Sequence, residues 1–187
     1  MSLPQYIKDI TNITPLEEEV IDSLFEREEF LKGQFLLREG NVARHIFFIE
    51  KGLVRVFRHS EEGKEVTAFF CPENTFVTAF DSFYTQRTTN YNLVLLEDSV
   101  IYSFTAQELE EMITKSNAMA KLLYHTTYDL ARKMSMLLAS VKFRTAEERY
   151  KLLLHDFPNV FQRAPLIHIA SFLGITPETL SRMRAQI

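Results

Sequence analysis

The apolar positions of this chain change rhythm three times. In residues 1–29, Ile13, Leu16, Val20, Leu24 and Phe25 recur at helical spacing, and Thr14-Pro15 supplies a cap followed by a first-turn proline. Glu17 to Glu19 add negative charge where a helix start favours it. The pattern predicts two short helices with a packing role only. From residue 30 to 104 the period shortens. The runs FLKGQFLLREG, RHIFFIEKGLVRVFRHSEEGKEVTAFFCPENTF and NYNLVLLEDSVIYSF are rich in Val, Ile and Phe, and Gly33, Gly40, Gly52 and Gly63 punctuate them. Glu62-Gly63 lies between two alternating runs and predicts a hairpin turn. Short, evenly spaced strands of this kind imply an antiparallel sandwich or barrel.

Helical spacing returns after residue 104. Thr105 and Glu108 form a capping-box pair. A segment of roughly 117–142 has no Pro or Gly, with Leu122-Leu123, Leu130, Met134, Leu137-Leu138 and Val141 at three- and four-residue steps. Such a stripe suits packing on the chain's own barrel. Thr145 with Glu148 is another capping box, and Phe157-Pro158-Asn159 marks a turn.

The last predicted element, Ala164 to Arg184, carries the chemistry. Ile167, Ala170 and Phe172-Leu173 give a first helix, and Gly174 ends it, because a left-handed position costs glycine nothing. Thr176 caps a second helix that opens on Pro177, with Ile175 and Leu180 packing it onto the first. Thr176, Glu178, Thr179, Ser181, Arg182 and Arg184 then lie on the outward side. Arg pairs with guanine, Glu accepts from cytosine, and Thr and Ser serve bases or phosphate. The same residue set also suits an ordinary solvated helix face.

Composition narrows the choice. At 187 residues and 46% hydrophobic, the chain can bury one sizeable core plus a small second unit. It has no apolar run long enough for a membrane helix, and its start lacks a secretory pattern, so a cytoplasmic location is expected. The single cysteine, Cys71, rules out an internal disulfide or an all-cysteine iron–sulfur cluster within one chain. It is expected at a packed strand end. The five histidines are dispersed, which argues against a metal and against a barrel metalloenzyme; Walker, nucleophile-elbow and dinucleotide-binding motifs are also missing. The chain is therefore not expected to be an enzyme. Net charge is −4, yet residues 142–187 hold seven Lys/Arg against four Asp/Glu, so the basic excess sits on the predicted DNA-facing segment.

IASFLGITPETLSRMR resembles the helix-turn-helix of the Crp/Fnr (catabolite-activator-like) family of transcription regulators. TAEERYKLLLHDFPNVFQRAP is similar to the connector of the short family variant found in the Bacteroidetes, and IFFIEKGLVRVFR resembles the family's cyclic-nucleotide-binding β-roll, with Gly52 at its usual turn. The resemblance implies an α+β fold: an antiparallel β-roll sensor flanked by helices over 1–116, a dimerisation helix over 117–143, and a winged-helix-like DNA-binding unit over 144–187 that lacks the wing. Weaker phosphate-backbone contact would follow from that lack. Met119, Met134 and Met136 would make the dimer seam deformable. The implied partners are palindromic double-stranded DNA, a second copy of the chain, a small-molecule effector and RNA polymerase, with no membrane.

In family members that hold a cyclic nucleotide, a Gly-Glu pair meets the ribose and an Arg-Ser/Thr pair the cyclic phosphate. Here Thr78-Ala79 stands at the first position. Arg87-Thr88 has the chemistry of the second, but an ungapped count places Thr89-Asn90 there. These departures argue against cyclic AMP and leave the effector unidentified, with Thr78, Ala79, Arg87, Thr88, Thr89 and Asn90 as its candidate residues. The rival reading is a ligand-binding β-roll subunit that does not touch DNA.

Overall fold

The computed structural model describes residues 1–11, 14 and 26–185. The second predicted N-terminal helix, with Pro15, Leu16, Val20, Leu24 and Phe25, falls outside them, as does Ile13. The first predicted helix is present as α1 (Leu3–Ile10), whose Leu3 and Ile7 are buried. Glu26–Phe30 is a strand, β1, so the helical expectation fails at its C-terminal edge. The reason is pairing: β1 lies antiparallel to β8 in the register Glu28↔Ile101, and such tertiary pairing overrides a charged composition.

The remaining strands are β2 (Phe35–Leu37), β3 (His45–Lys51), β4 (Val54–His59), β5 (Glu65–Cys71), β6 (Phe76–Val77), β7 (Asn92–Leu95) and β8 (Ser99–Thr105). They form two four-stranded sheets, ordered β1-β8-β3-β6 and β2-β7-β4-β5, and every pairing is antiparallel. Phe47, Ile49, Val54, Val56, Leu93, Leu95 and Ile101 fill one core, as alternation in two facing sheets requires. Gly52 turns β3 into β4 at φ +117°, where a Cβ would lie 2.0 Å from Ser99 Oγ, so only glycine fits. The β4–β5 hairpin turns at Gly63, as expected from Glu62-Gly63.

Helix α2 (Phe80–Thr85) interrupts the strands, and α3 (Ala106–Lys115) follows β8. The Thr105–Glu108 capping box forms as predicted: Thr105 Oγ1 accepts from Glu108 N, and the Glu108 carboxylate accepts from Thr105 N. Next comes α4 (Asn117–Phe143), 27 residues long and capped by Ser116. Two apolar stripes share this helix. Met119, Leu122, Leu130 and Leu137 turn toward the chain's own core and cleft. A second line, Ala120, Tyr124, Thr127, Ala131, Met134, Leu138 and Val141, alternates steps of four and three, and every member is exposed. Tyr124, Leu138 and Val141 are 68%, 70% and 62% exposed. This spacing is a heptad seam. No helix among the described residues is long and apolar enough to cross a membrane.

Candidate DNA-reading helix, sensor cleft and the joint between them

The C-terminal part is four helices: α5 (Ala146–Asp156), α6 (Val160–Arg163), α7 (Leu166–Leu173) and α8 (Pro177–Arg184). The Thr145–Glu148 capping box starts α5. Gly174, at φ +66°, ends α7, with the Gly174 N–H donating to Ser171 O and the Ile175 N–H to Ala170 O. That pair of bonds is a Schellman ending. Thr176 caps α8 by accepting from Thr179 N at 3.2 Å. Leu180 is 0% exposed and packs with Ile169, Ala170 and Leu173, while Ile175 is partly buried beside them. Ile167 departs from expectation: it is 61% exposed, because the buried face of α7 passes through Ile169, Ala170 and Leu173.

Anchoring by Leu180 decides what α8 presents. Thr176, Glu178, Ser181, Arg182 and Arg184 are exposed and Thr179 is half-buried. Arg182 Nη2 donates to Thr179 Oγ1 at 3.4 Å, and Arg184 lies 4.8 Å from the Phe161 ring centroid. Hydrogen bonds from its own backbone amide and from Thr176 hold the Glu178 carboxyl below the usual glutamate range. The face thus carries a carboxylate, three hydroxyls and two guanidinium groups, with Arg184 resting over Phe161.

The sensor side shows a cleft of about 1170 Å³ between the roll, α4 and the C-terminal helices. Thr78, Ala79, Thr88, Thr89 and Asn90 line it, while Arg87 does not. Thr78 Oγ1 donates to His45 O at 2.8 Å, and Thr89 is tied by its backbone to Gly40 and Asn41. The Arg87 carbonyl accepts a hydrogen bond from Ser82 Oγ, and its side chain is exposed. Of the candidate ligand residues, Arg87 is the one placed off the cleft wall, because the chain turns its backbone inward at this point. Cys71 also lines the cleft at the end of β5, where burial pushes its thiol up to about 12.

Sequence reasoning missed the joint between roll and C-terminal helices. Leu53 and Leu96 of the roll share one cluster with Tyr150, Leu153, Val160, Ile169 and Leu180. Helix α7 lies along the edge strand β5, where Ser171 Oγ accepts from Thr67 N at 3.0 Å. An edge amide that would otherwise need water is thereby satisfied. Phe70 and Phe172 meet at 5.6 Å between ring centroids. Below them Arg55, 2% exposed, donates to Thr67 Oγ1 and to Glu65. At the other end Arg163 forks onto two roll carboxylates, Glu73 at 2.6 and 3.0 Å and Glu97 at 2.5 and 3.2 Å. Glu73 also accepts from Gly52 N. Burial alone would raise the Glu73 pKa, but Arg163 and the backbone amides outweigh it and the carboxyl sits below its ordinary value. These partners are 66 and 90 residues from Arg163, so no local motif announces them.

Arg163→Met is expected to lower overall stability by about 1–3 kcal/mol, because two part-buried carboxylates lose their shared donor. Acid should act in the same direction on the parent protein. Glu73 titrates lower folded than unfolded, so its contribution is complete above about pH 4.3 and fades as pH falls through the native value. Urea melts of parent and Arg163→Met protein between pH 7 and pH 3 would check both. Equal slopes of stability against pH in the two proteins would contradict the assignment.

A β-roll with a cleft is thus joined through a long helix to an exposed helix-turn-helix. The cyclic nucleotide-binding domain family matches residues 27–116. The anaerobic regulatory protein of Bacillus subtilis is 23% identical over 157 residues, covering 84% of this chain and 61% of that protein. The chain thus spans less than two thirds of that relative's length. The regulatory protein HlyX of Actinobacillus pleuropneumoniae is 26% identical over 177 residues, covering 87% and 72%. Among solved structures, FixK2 from Bradyrhizobium japonicum shares the fold with a TM-score of 0.73 at 17% identity, covering 87% of this chain and 83% of that one. Residues 27–116 thus carry a cyclic nucleotide-binding domain, and most of the chain is similar to transcription regulators of the Crp/Fnr type.

Proposed function

We propose that the protein is a cytoplasmic homodimer that reads palindromic duplex DNA through paired α8 helices. The division is the one expected from sequence: a sensor over 1–116, the dimer helix over 117–143 and the DNA-reading unit over 144–187. The exposed heptad of α4 would carry the twofold pairing. Two helix-turn-helix units held about 34 Å apart then enter successive major grooves. Thr176, Thr179 and Ser181 would meet phosphate and base edges. Glu178 would accept from cytosine, Arg182 would fork onto guanine, and Arg184 would hold phosphate. Thr78, Ala79, Thr88, Thr89 and Asn90 would face an effector in the cleft. An effector would act by preferring one arrangement of the roll–α7 joint over another.

The observation that carries the reading is the orientation of α8: Leu180 is wholly buried while Ser181 and Arg182 next to it are exposed. Arg182→Ala should cost roughly 1–3 kcal/mol on the preferred site and flatten the preference at one base pair per half-site. Gel shifts across single-base variants of the site check this. An unchanged base preference would remove Arg182 from base reading. Log affinity should also fall steeply with log salt concentration, as phosphate neutralisation demands.

A further inference from the structure

The cleft described above has the wrong chemistry for an anionic nucleotide. Neither Thr78-Ala79 nor Thr89-Asn90 offers a guanidinium or a carboxylate, and Arg87 lies outside the wall. The cations that do reach the wall are engaged. Arg132 and Lys133 both pair with Asp129, at 2.8 and 2.7 Å, and Arg149 donates to the carbonyls of Arg144 and Leu173. Glu39, Asp81, Asp129 and Asp156 also lie on the wall, so its carboxylates outnumber its three cations. A phosphate monoanion would enter against the field and find no free donor fork.

Most of the rest of the wall is apolar. Phe76 and Val77 come from the roll, Leu130 and Leu137 from α4, and Leu153 and Phe172 from the C-terminal helices. Two wall residues carry buried polar atoms without a hydrogen-bond partner, Asn74 Oδ1 and Thr126 Oγ1. Buried groups of that kind are normally satisfied, and a ligand polar group would satisfy them. Mostly apolar walls with a few convergent polar atoms are the usual form of a small-molecule site.

We propose that the cleft binds a neutral, mainly apolar molecule bearing one or two hydrogen-bonding groups, in place of a cyclic nucleotide. This rests on the reading of the cleft as the effector site. A molecule of that class would touch the roll, the long helix and the C-terminal helices at once, which gives it a direct hold on the joint that positions α8.

The test titrates the full chain with N-phenyl-1-naphthylamine, a neutral probe that fluoresces in apolar surroundings. Saturable binding at one site per chain is expected. Dodecan-1-ol should displace the probe, dodecanoate should do so at least about tenfold less well, and cyclic AMP should not displace it. Leu137→Trp should weaken the probe at least about tenfold while the far-ultraviolet circular dichroism is kept. Should that variant not fold, Cys71 gives a second readout in the parent protein. It is the only cysteine and lines the cleft, so bound probe should slow its alkylation by iodoacetamide several-fold, in a reaction run at about pH 9 because burial holds the thiol above its ordinary range. Displacement by cyclic AMP, equal competition by dodecanoate, or unchanged Cys71 alkylation would each overturn the proposal. Failure of DNA binding in a gel shift, with probe binding intact, would count against the regulator reading and leave the ligand class standing.

Discussion

Changing Leu138 and Val141 together to Asp is expected to leave the protein monomeric and to cost it about a hundredfold or more in affinity for a palindromic site. Both residues stand on the exposed heptad line of α4, and both are apolar side chains left mostly uncovered within the chain, with Val141 also at the border of the cleft. Pairing with a second copy would bury them, at about 1.5–3 kcal/mol per fully covered Leu or Val. The twofold doubles that gain. Aspartates at the same places would set four carboxylates into a mostly apolar seam, where like charges repel strongly. The inward stripe of Met119, Leu122 and Leu130 is untouched, so each chain should keep its fold. The DNA loss follows because one half-site alone must then do the work of two tethered ones. Sedimentation velocity gives the oligomeric state, and a gel shift gives the affinity. A double variant that still sediments as a dimer would place the interface elsewhere.

The second large effect is expected at Leu180. It is the one fully buried side chain of α8, set among Ile169, Ala170 and Leu173. Leu180→Ala should destabilise the C-terminal unit by about 2–5 kcal/mol, the usual range for a truncated core leucine. Helix α8 has only eight residues and no other fully buried anchor, so the cavity would loosen the whole reading face. DNA affinity should fall for every sequence tested, in contrast to the base-selective loss expected of Arg182→Ala. The roll's own cluster around Phe47, Ile49 and Ile101 lies apart from this site and should keep its protection. Hydrogen exchange would separate the two regions: rapid exchange confined to α7 and α8 is the expected result, and uniform exchange across the chain would deny that Leu180 anchors α8 locally.

These two residues also mark what could be read from the chain and what could not. Thr176, Pro177 and Gly174 act through neighbours one to four positions away, so the turn and both helix ends were legible locally. The capping boxes at Thr105 and Thr145 were legible for the same reason. The long helix was legible as a helix but not in its division of labour. Leucines and methionines at three- and four-residue steps fit either of two faces, and only the packing of α1 and the roll tells Leu130 from Leu138. The placement of Arg87 was not legible, because the path of the backbone between Ser82 and Thr89, and not its side-chain chemistry, decides where it points. Arg163, Ser171 and Arg55 were illegible. Arg163 and Ser171 meet partners 66 to 104 residues away, Arg55 meets its own across the β4–β5 hairpin, and a lone arginine at the end of a short helix looks like any surface charge until Glu73 and Glu97 are brought beside it.

The account stands or falls with duplex DNA as the surface that α8 meets. The direct measurement is selection of bound sequences from a random duplex pool by the full-length protein. Enrichment of an inverted repeat with half-sites about ten base pairs apart, lost when Arg182 and Ser181 are both changed to Ala, is the predicted result. A pool that stays random after repeated rounds at low salt, or an enriched site indifferent to those two residues, would contradict it.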